Sequence, residues 1–132
     1  VSPAGRRALL AAAAASLLPL TASSQERRWF EAADAMRKLA LSWGDQDYGA
    51  VLVLGGAIVG EGPSRVIMNN DPSAHAEREA IRDAQKRLGR ADLAGTVLYS
   101  TSRPCALCER AAAAARVSRM YFGSHLTDAG RP

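Results

Sequence analysis

Two short stretches, thirty residues apart, constrain this chain more than anything else in it: His75-Ala76-Glu77 and Pro104-Cys105-Ala106-Leu107-Cys108. Together they supply an imidazole, two thiols and a spare carboxylate. Cys105 and Cys108 stand three apart, so one helical turn brings both sulfurs to the same side, where they can share a metal. Two thiolates and a neutral imidazole fill three tetrahedral positions and leave the fourth open to water, which is the pattern of a catalytic zinc. Any fold adopted by the chain must bring these two stretches together.

Glu77 decides between a metal site and an enzyme. Residues two apart do not share a helix face, so His75 and Glu77 converge only around a helix N-terminus. Asp71-Pro72-Ser73 offers such a start, with a polar cap and a proline suited to a first turn. Pro104 plays the same part before Cys105. The metal is therefore expected where two helix N-termini meet, and their positive dipole ends favour thiolates and hydroxide. Two other readings use the same residues. One is a structural zinc knot with His125 as fourth ligand, which has no use for Glu77 and fits no finger spacing. The other is a redox dithiol, which leaves His75-Ala76-Glu77 a coincidence.

The H-x-E and P-C-x-x-C pair resembles the signature of zinc-dependent nucleobase deaminases. Tyr48 to Val53, Asn70 to Arg82 and Leu98-Tyr99-Ser100 are also similar to the cytidine/deoxycytidylate deaminase superfamily, above all its guanine deaminase and tRNA adenosine deaminase branches. The likeness runs from about Gly49 to Asp128. It implies a three-layer α/β/α fold with a mixed sheet of four to five strands, and Zn2+ held by His75, Cys105 and Cys108. It further implies that Glu77 moves protons during hydrolytic loss of ammonia. The Ala76 backbone N–H is the implied donor to a ring carbonyl. Ser64 falls where the family usually places a substrate-binding Asn. Arg103 replaces a Glu common before the Pro, adding positive charge near the pocket mouth. The family's C-terminal closing segment has no counterpart up to Pro132, so residues 25–132 are expected to form a C-terminally short deaminase domain.

Residues 1–24 read as an export signal. Arg6-Arg7 precedes the apolar run Ala8 to Leu20, and Ala22-Ser23-Ser24 suits cleavage before Gln25. The arginine pair resembles the twin-arginine type, which implies a periplasmic or exported protein, or a cytoplasmic one if this reading fails. The run is too short and too alanine-rich for a stable membrane span.

Along the remainder, helical spacing predicts an amphipathic helix over Glu26 to Leu41 with Trp29 as a core anchor. Tyr48 to Leu54 and Ala57 to Val59 form a hairpin across Gly55-Gly56, and Gly60 to Pro63 ends the second strand. The loop from there to Asp71 is expected to wall the substrate pocket. Further elements are a helix from Ser73 to about Leu88 closed by Gly89, a strand over Thr96 to Ser100, a helix over Cys105 to about Ala115, and a strand over Val117 to Phe122. Asp128 is expected to cap a helix or turn, and His125 to sit in a loop.

The net charge of +4 is too weak to argue a nucleic-acid partner, and two of those charges lie in the expected signal. A free purine base or nucleoside, guanine first, is the favoured substrate, acted on by a homodimer. A tRNA adenosine or cytosine-type deaminase, or a non-catalytic zinc-binding relative, are the alternatives.

Overall fold

The computed structural model describes residues 22–132. Helix α1 (Ala22–Ser42) leads into β1 (Gly49–Leu54) and β2 (Ala57–Pro63), followed by α2 (Ala76–Leu88), β3 (Val97–Ser100), α3 (Ala106–Ala114), β4 (Arg119–Phe122) and β5 (Thr127–Gly130). The five strands form one mixed sheet in the order β2-β1-β3-β4-β5, in which only β3 and β4 run parallel. That parallel pair is joined by α3, as a parallel connection requires a crossover.

Alternation along β1 divides the core into two layers. Ala50 and Leu52 join Ala76, Ala80, Ile81, Ala84, Leu98 and Ala112 on the side of α2 and α3. Val51 and Val53 pack with Trp29 and Ala33 of α1 on the other. The three-layer expectation is therefore met, and Trp29 anchors the core as predicted. Among the described residues no helix is long and apolar enough to cross a membrane. Residues 1–21, with most of the expected signal, lie outside the described part.

Three glycines set the distance between helices and sheet. A Cβ on Gly49 would collide with the backbone of Ala33 and Arg37 in α1. One on Gly60 or Gly62 would collide with α2 at Ala80 and Ala84, or at Ala76 and Ala80. This explains the largest departure from the sequence reading: β2 does not stop at Val59 but continues through Gly60-Glu61-Gly62-Pro63, paired with β1 to its end. Glycine there is not a strand breaker but a place where a helix backbone comes close.

Other departures are local. The segment from Ser73 to His75 is not helical; α2 begins at Ala76 with His75 as its N-cap. Asp71 instead closes a turn by accepting from the Ser73 N–H and hydroxyl at 2.9 and 2.7 Å. Gly89 ends α2 in the left-handed conformation, as expected. A fifth strand stands where no element was expected, and Asp128 lies in it, capping no helix. Its carboxylate pairs with Arg119 on β4 and accepts the Gly130 N–H at 2.7 Å.

Candidate metal centre and active site

β3 ends at Ser100, and the chain then crosses to the start of α3. Thr101 pairs with Gly49 at the start of β1: the Thr101 N–H donates to the Gly49 carbonyl at 3.0 Å, and the Gly49 N–H to the Thr101 hydroxyl at 3.1 Å. This link brings the segment before β1, the turn after β3 and the start of α2 to one end of the sheet. They enclose a cavity of about 540 Å³ lined by Gln46, Tyr48, His75, Ala76, Glu77, Ser102, Arg103 and Cys105.

Both ligand stretches begin helices. His75 and Cys105 are N-caps with extended backbone, at φ −63° and −74°. Cys108 follows one turn into α3. An N-cap side chain projects past the helix end rather than along its face, so residues two or three apart can turn to a common point. His75 Nδ1 lies 3.6 Å from Cys105 Sγ and 3.4 Å from Cys108 Sγ. The three ligand atoms lie within 4.8 Å of one another. Tetrahedral zinc with Zn–S of about 2.3 Å and Zn–N of about 2.05 Å separates sulfur from nitrogen by about 3.6 Å. The spacing fits.

The chemistry of the donor set points the same way. Both cysteines are free; Cys105 is exposed and Cys108 buried. Burial first, and then the nearby Glu77 carboxylate, pushes the Cys108 thiol well above its ordinary value. A buried sulfur beside a carboxylate is a poor thiolate unless a cation sits among the donors, which is what a zinc ion supplies.

Glu77 is buried and is not one of the three ligands. Its Oε2 lies 3.3 Å from Cys108 Sγ, and its Oε1 accepts a 2.6 Å hydrogen bond from the Ser100 hydroxyl. Ala76, as the first residue of α2, carries an N–H with no acceptor inside the helix, and it lines the cavity. Arg103 also reaches the cavity, with its guanidinium 5.1 Å above the Phe122 ring.

Ser64 is not brought to the site. It is fully buried, and its hydroxyl donates to Asp45 Oδ1 at 2.9 Å. Asp45 also accepts N–H groups of Gln46, Ile67 and Met68 at 2.8, 3.1 and 2.7 Å. This gathers the loop after β2 onto Asp45. No residue of that loop lines the cavity, contrary to expectation; Gln46 and Tyr48 form the wall in its place. His125 lies in the β4–β5 turn, as expected of a loop histidine, and outside the ligand group.

Residues 23–124 match the family described as the cytidine and deoxycytidylate deaminase zinc-binding region. The chain belongs to the cytidine and deoxycytidylate deaminase family. A tRNA-specific adenosine deaminase of Buchnera aphidicola is 37% identical over 99 residues, which are 75% of this chain and 61% of that protein. A guanine deaminase of Bacillus subtilis is 44% identical over 82 residues, 62% of this chain and 53% of that one. The chain thus spans a little over half the length of these two relatives. The X-ray structure of a guanine deaminase from Bacillus subtilis superposes with a TM-score of 0.71 at 30% identity, covering 83% of this chain and 73% of that one. Members of this deaminase family carry a zinc-binding region, and the His75/Cys105/Cys108 trio falls within the matched residues.

Proposed function

We propose that this chain is a zinc-dependent hydrolytic deaminase that releases ammonia from a free purine base or nucleoside, with guanine first. One observation carries the reading: a buried carboxylate, Glu77, stands beside the ligand trio without belonging to it. A purely structural zinc has no need of such a group. Zinc, when bound, supplies the Lewis acidity that makes water a nucleophile near neutral pH.

The chain's own residues do the rest. Glu77 takes a proton from the attacking water and passes it to the ring nitrogen beside the attacked carbon. It then carries the second proton to the exocyclic amine. The carbon–nitrogen bond breaks, a carbonyl forms, and ammonia leaves, so one water is consumed for each amine released. The Ala76 N–H, on the cavity wall, is assigned the role of donor to a ring carbonyl.

A cavity of about 540 Å³ supports a base or nucleoside, since small-molecule sites span roughly 300–1,000 Å³. A second reading, deamination of adenosine in tRNA, is favoured by the relative of that name. A homodimer and export directed by Arg6-Arg7 belong to the same proposal. Ser64 serves here to hold the loop after β2 on Asp45 rather than to touch substrate.

The test is ammonia release by zinc-loaded protein from guanine, adenine, cytosine, their nucleosides and tRNA, beside Glu77→Gln. Turnover of guanine or guanosine that Glu77→Gln abolishes while keeping zinc supports the reading. Turnover of tRNA alone transfers it to the second reading. No turnover by either form leaves a zinc-binding scaffold.

A further inference from the structure

We propose that Ser100 is a positioning residue: it holds Oε1 of Glu77 and leaves Oε2 to carry protons at the reacting atoms. The inference rests on the deaminase reading of the site and assigns a role to a residue outside the sequence signature.

Ser100 closes a strand whose other members are Val97, Leu98 and Tyr99. It is almost fully buried, at 1% exposure, as is Glu77 at 5%. A buried hydroxyl without a partner is unfavourable, so a polar residue at this point requires one. Its partner is Glu77 Oε1 at 2.6 Å, a length typical of a charge-assisted O–H···O⁻ bond. A backbone donor meets the same hydroxyl from the other side. The Ser102 N–H can only donate, and it lies 3.4 Å from Ser100 Oγ. Ser100 accepts there, which leaves its proton to donate to Glu77.

Two consequences follow for Glu77. Its carboxylate plane is set by a strand of the sheet rather than by its own flexible stem. Of its two oxygens, Oε1 takes the short bond from Ser100, and Oε2 faces the ligand trio, where the Cys108 thiol meets it at 3.3 Å. A proton carrier misplaced by about 1 Å can lose on the order of a hundredfold in rate. Ser102 also lines the cavity, so the chain Ser102 N–H, Ser100 hydroxyl, Glu77 carboxylate ties the cavity wall to the proton carrier.

Zinc-loaded wild type, Ser100→Ala and Ser100→Thr are compared for kcat, KM, zinc content and thermal midpoint on the best substrate of the panel. Ser100→Ala is expected to lower kcat by roughly tenfold to a hundredfold with KM and zinc content unchanged. Ser100→Thr, which keeps the hydroxyl, restores most of it. A kcat within about twofold of wild type in Ser100→Ala overturns the proposal, as does a loss that Ser100→Thr shares although it folds and holds zinc. A second arm needs no turnover. The carboxylate stretch of Glu77, isolated as the infrared difference between wild type and Glu77→Gln, should shift in Ser100→Ala; an unmoved band overturns the proposal. An inactive wild type with a shifted band would sink the deaminase reading while leaving the Ser100–Glu77 coupling in place.

Discussion

Gly62 on β2 faces Ala76, the first residue of α2, with no room for a side chain between them. A Cβ there would overlap the Ala76 carbonyl oxygen and reach within 2.5 Å of the Ala80 nitrogen. The start of α2 carries His75 and Glu77, so the bareness of one strand position sets where the candidate metal ligand and the proposed proton carrier stand. Gly62→Ala is expected to destabilise the fold by about 1–3 kcal/mol, the range for overpacking a tight core. It should also weaken zinc binding, because α2 must move away from the sheet. Denaturant midpoints and zinc titrations check both; Gly56→Ala, in the open β1–β2 turn, should leave zinc affinity near wild type.

Acid should release the loop after β2. Burial works to raise the Asp45 pKa, but the hydrogen bonds from Met68, Gln46, Ser64 and Ile67 outweigh it, and the carboxyl sits below its ordinary value. A lowered folded-state pKa means that Asp45 contributes stability fully above the unfolded value of about 3.9. That contribution is lost as pH falls through the lower folded value. Wild type should therefore lose more stability than Asp45→Asn between about pH 5 and pH 3, measured by denaturant midpoints. Parallel curves would refute it.

Loading the metal should expel protons. Both thiols must be deprotonated to ligate, and Cys108 holds its proton more tightly than an ordinary cysteine. Zinc added to metal-free protein in weak buffer should acidify it, and apparent affinity should rise with pH. Cys108→Ser should lose stoichiometric zinc at micromolar protein. A pH indicator and elemental analysis read the two effects.

Arg103 should tune substrate affinity rather than chemistry. It lines the cavity over Phe122 and, among the described residues, has no carboxylate partner. A guanidinium matches the paired acceptors on the outer edge of guanine. Arg103→Glu is expected to raise KM for guanine by about tenfold, equivalent to ~1.4 kcal/mol, with zinc content unchanged. An equal fall in kcat would place Arg103 in the chemistry instead.

The candidate ligand trio was more legible than the ends of the strands that frame it. His75, Glu77, Cys105 and Cys108 announce themselves because metal chemistry demands few residue types at fixed spacing. The β-hairpin was readable from Gly55-Gly56, whose φ values of +58° and +78° suit a tight primed turn. The end of β2 was not, because Gly60 and Gly62 look like breakers until a helix is seen against them. β5 escaped notice since Thr127 to Gly130 has neither β-branched alternation nor an apolar run; pairing with β4 makes it a strand. Ser100 left one faint signal, a hydroxyl ending an otherwise apolar buried strand. Ser64 was misplaced because alignment to a family position fixes a residue's order in the chain and not the direction of its side chain.

The ligand trio joins the beginnings of two helices that the chain reaches thirty residues apart. An ion held there acts as a removable cross-link, closing a loop in the folded state that the unfolded chain keeps open. Amide hydrogens in the first turns of α2 and α3 should then exchange together: slowly in loaded protein, quickly after chelation, with the β1–β3 centre of the sheet indifferent to the change.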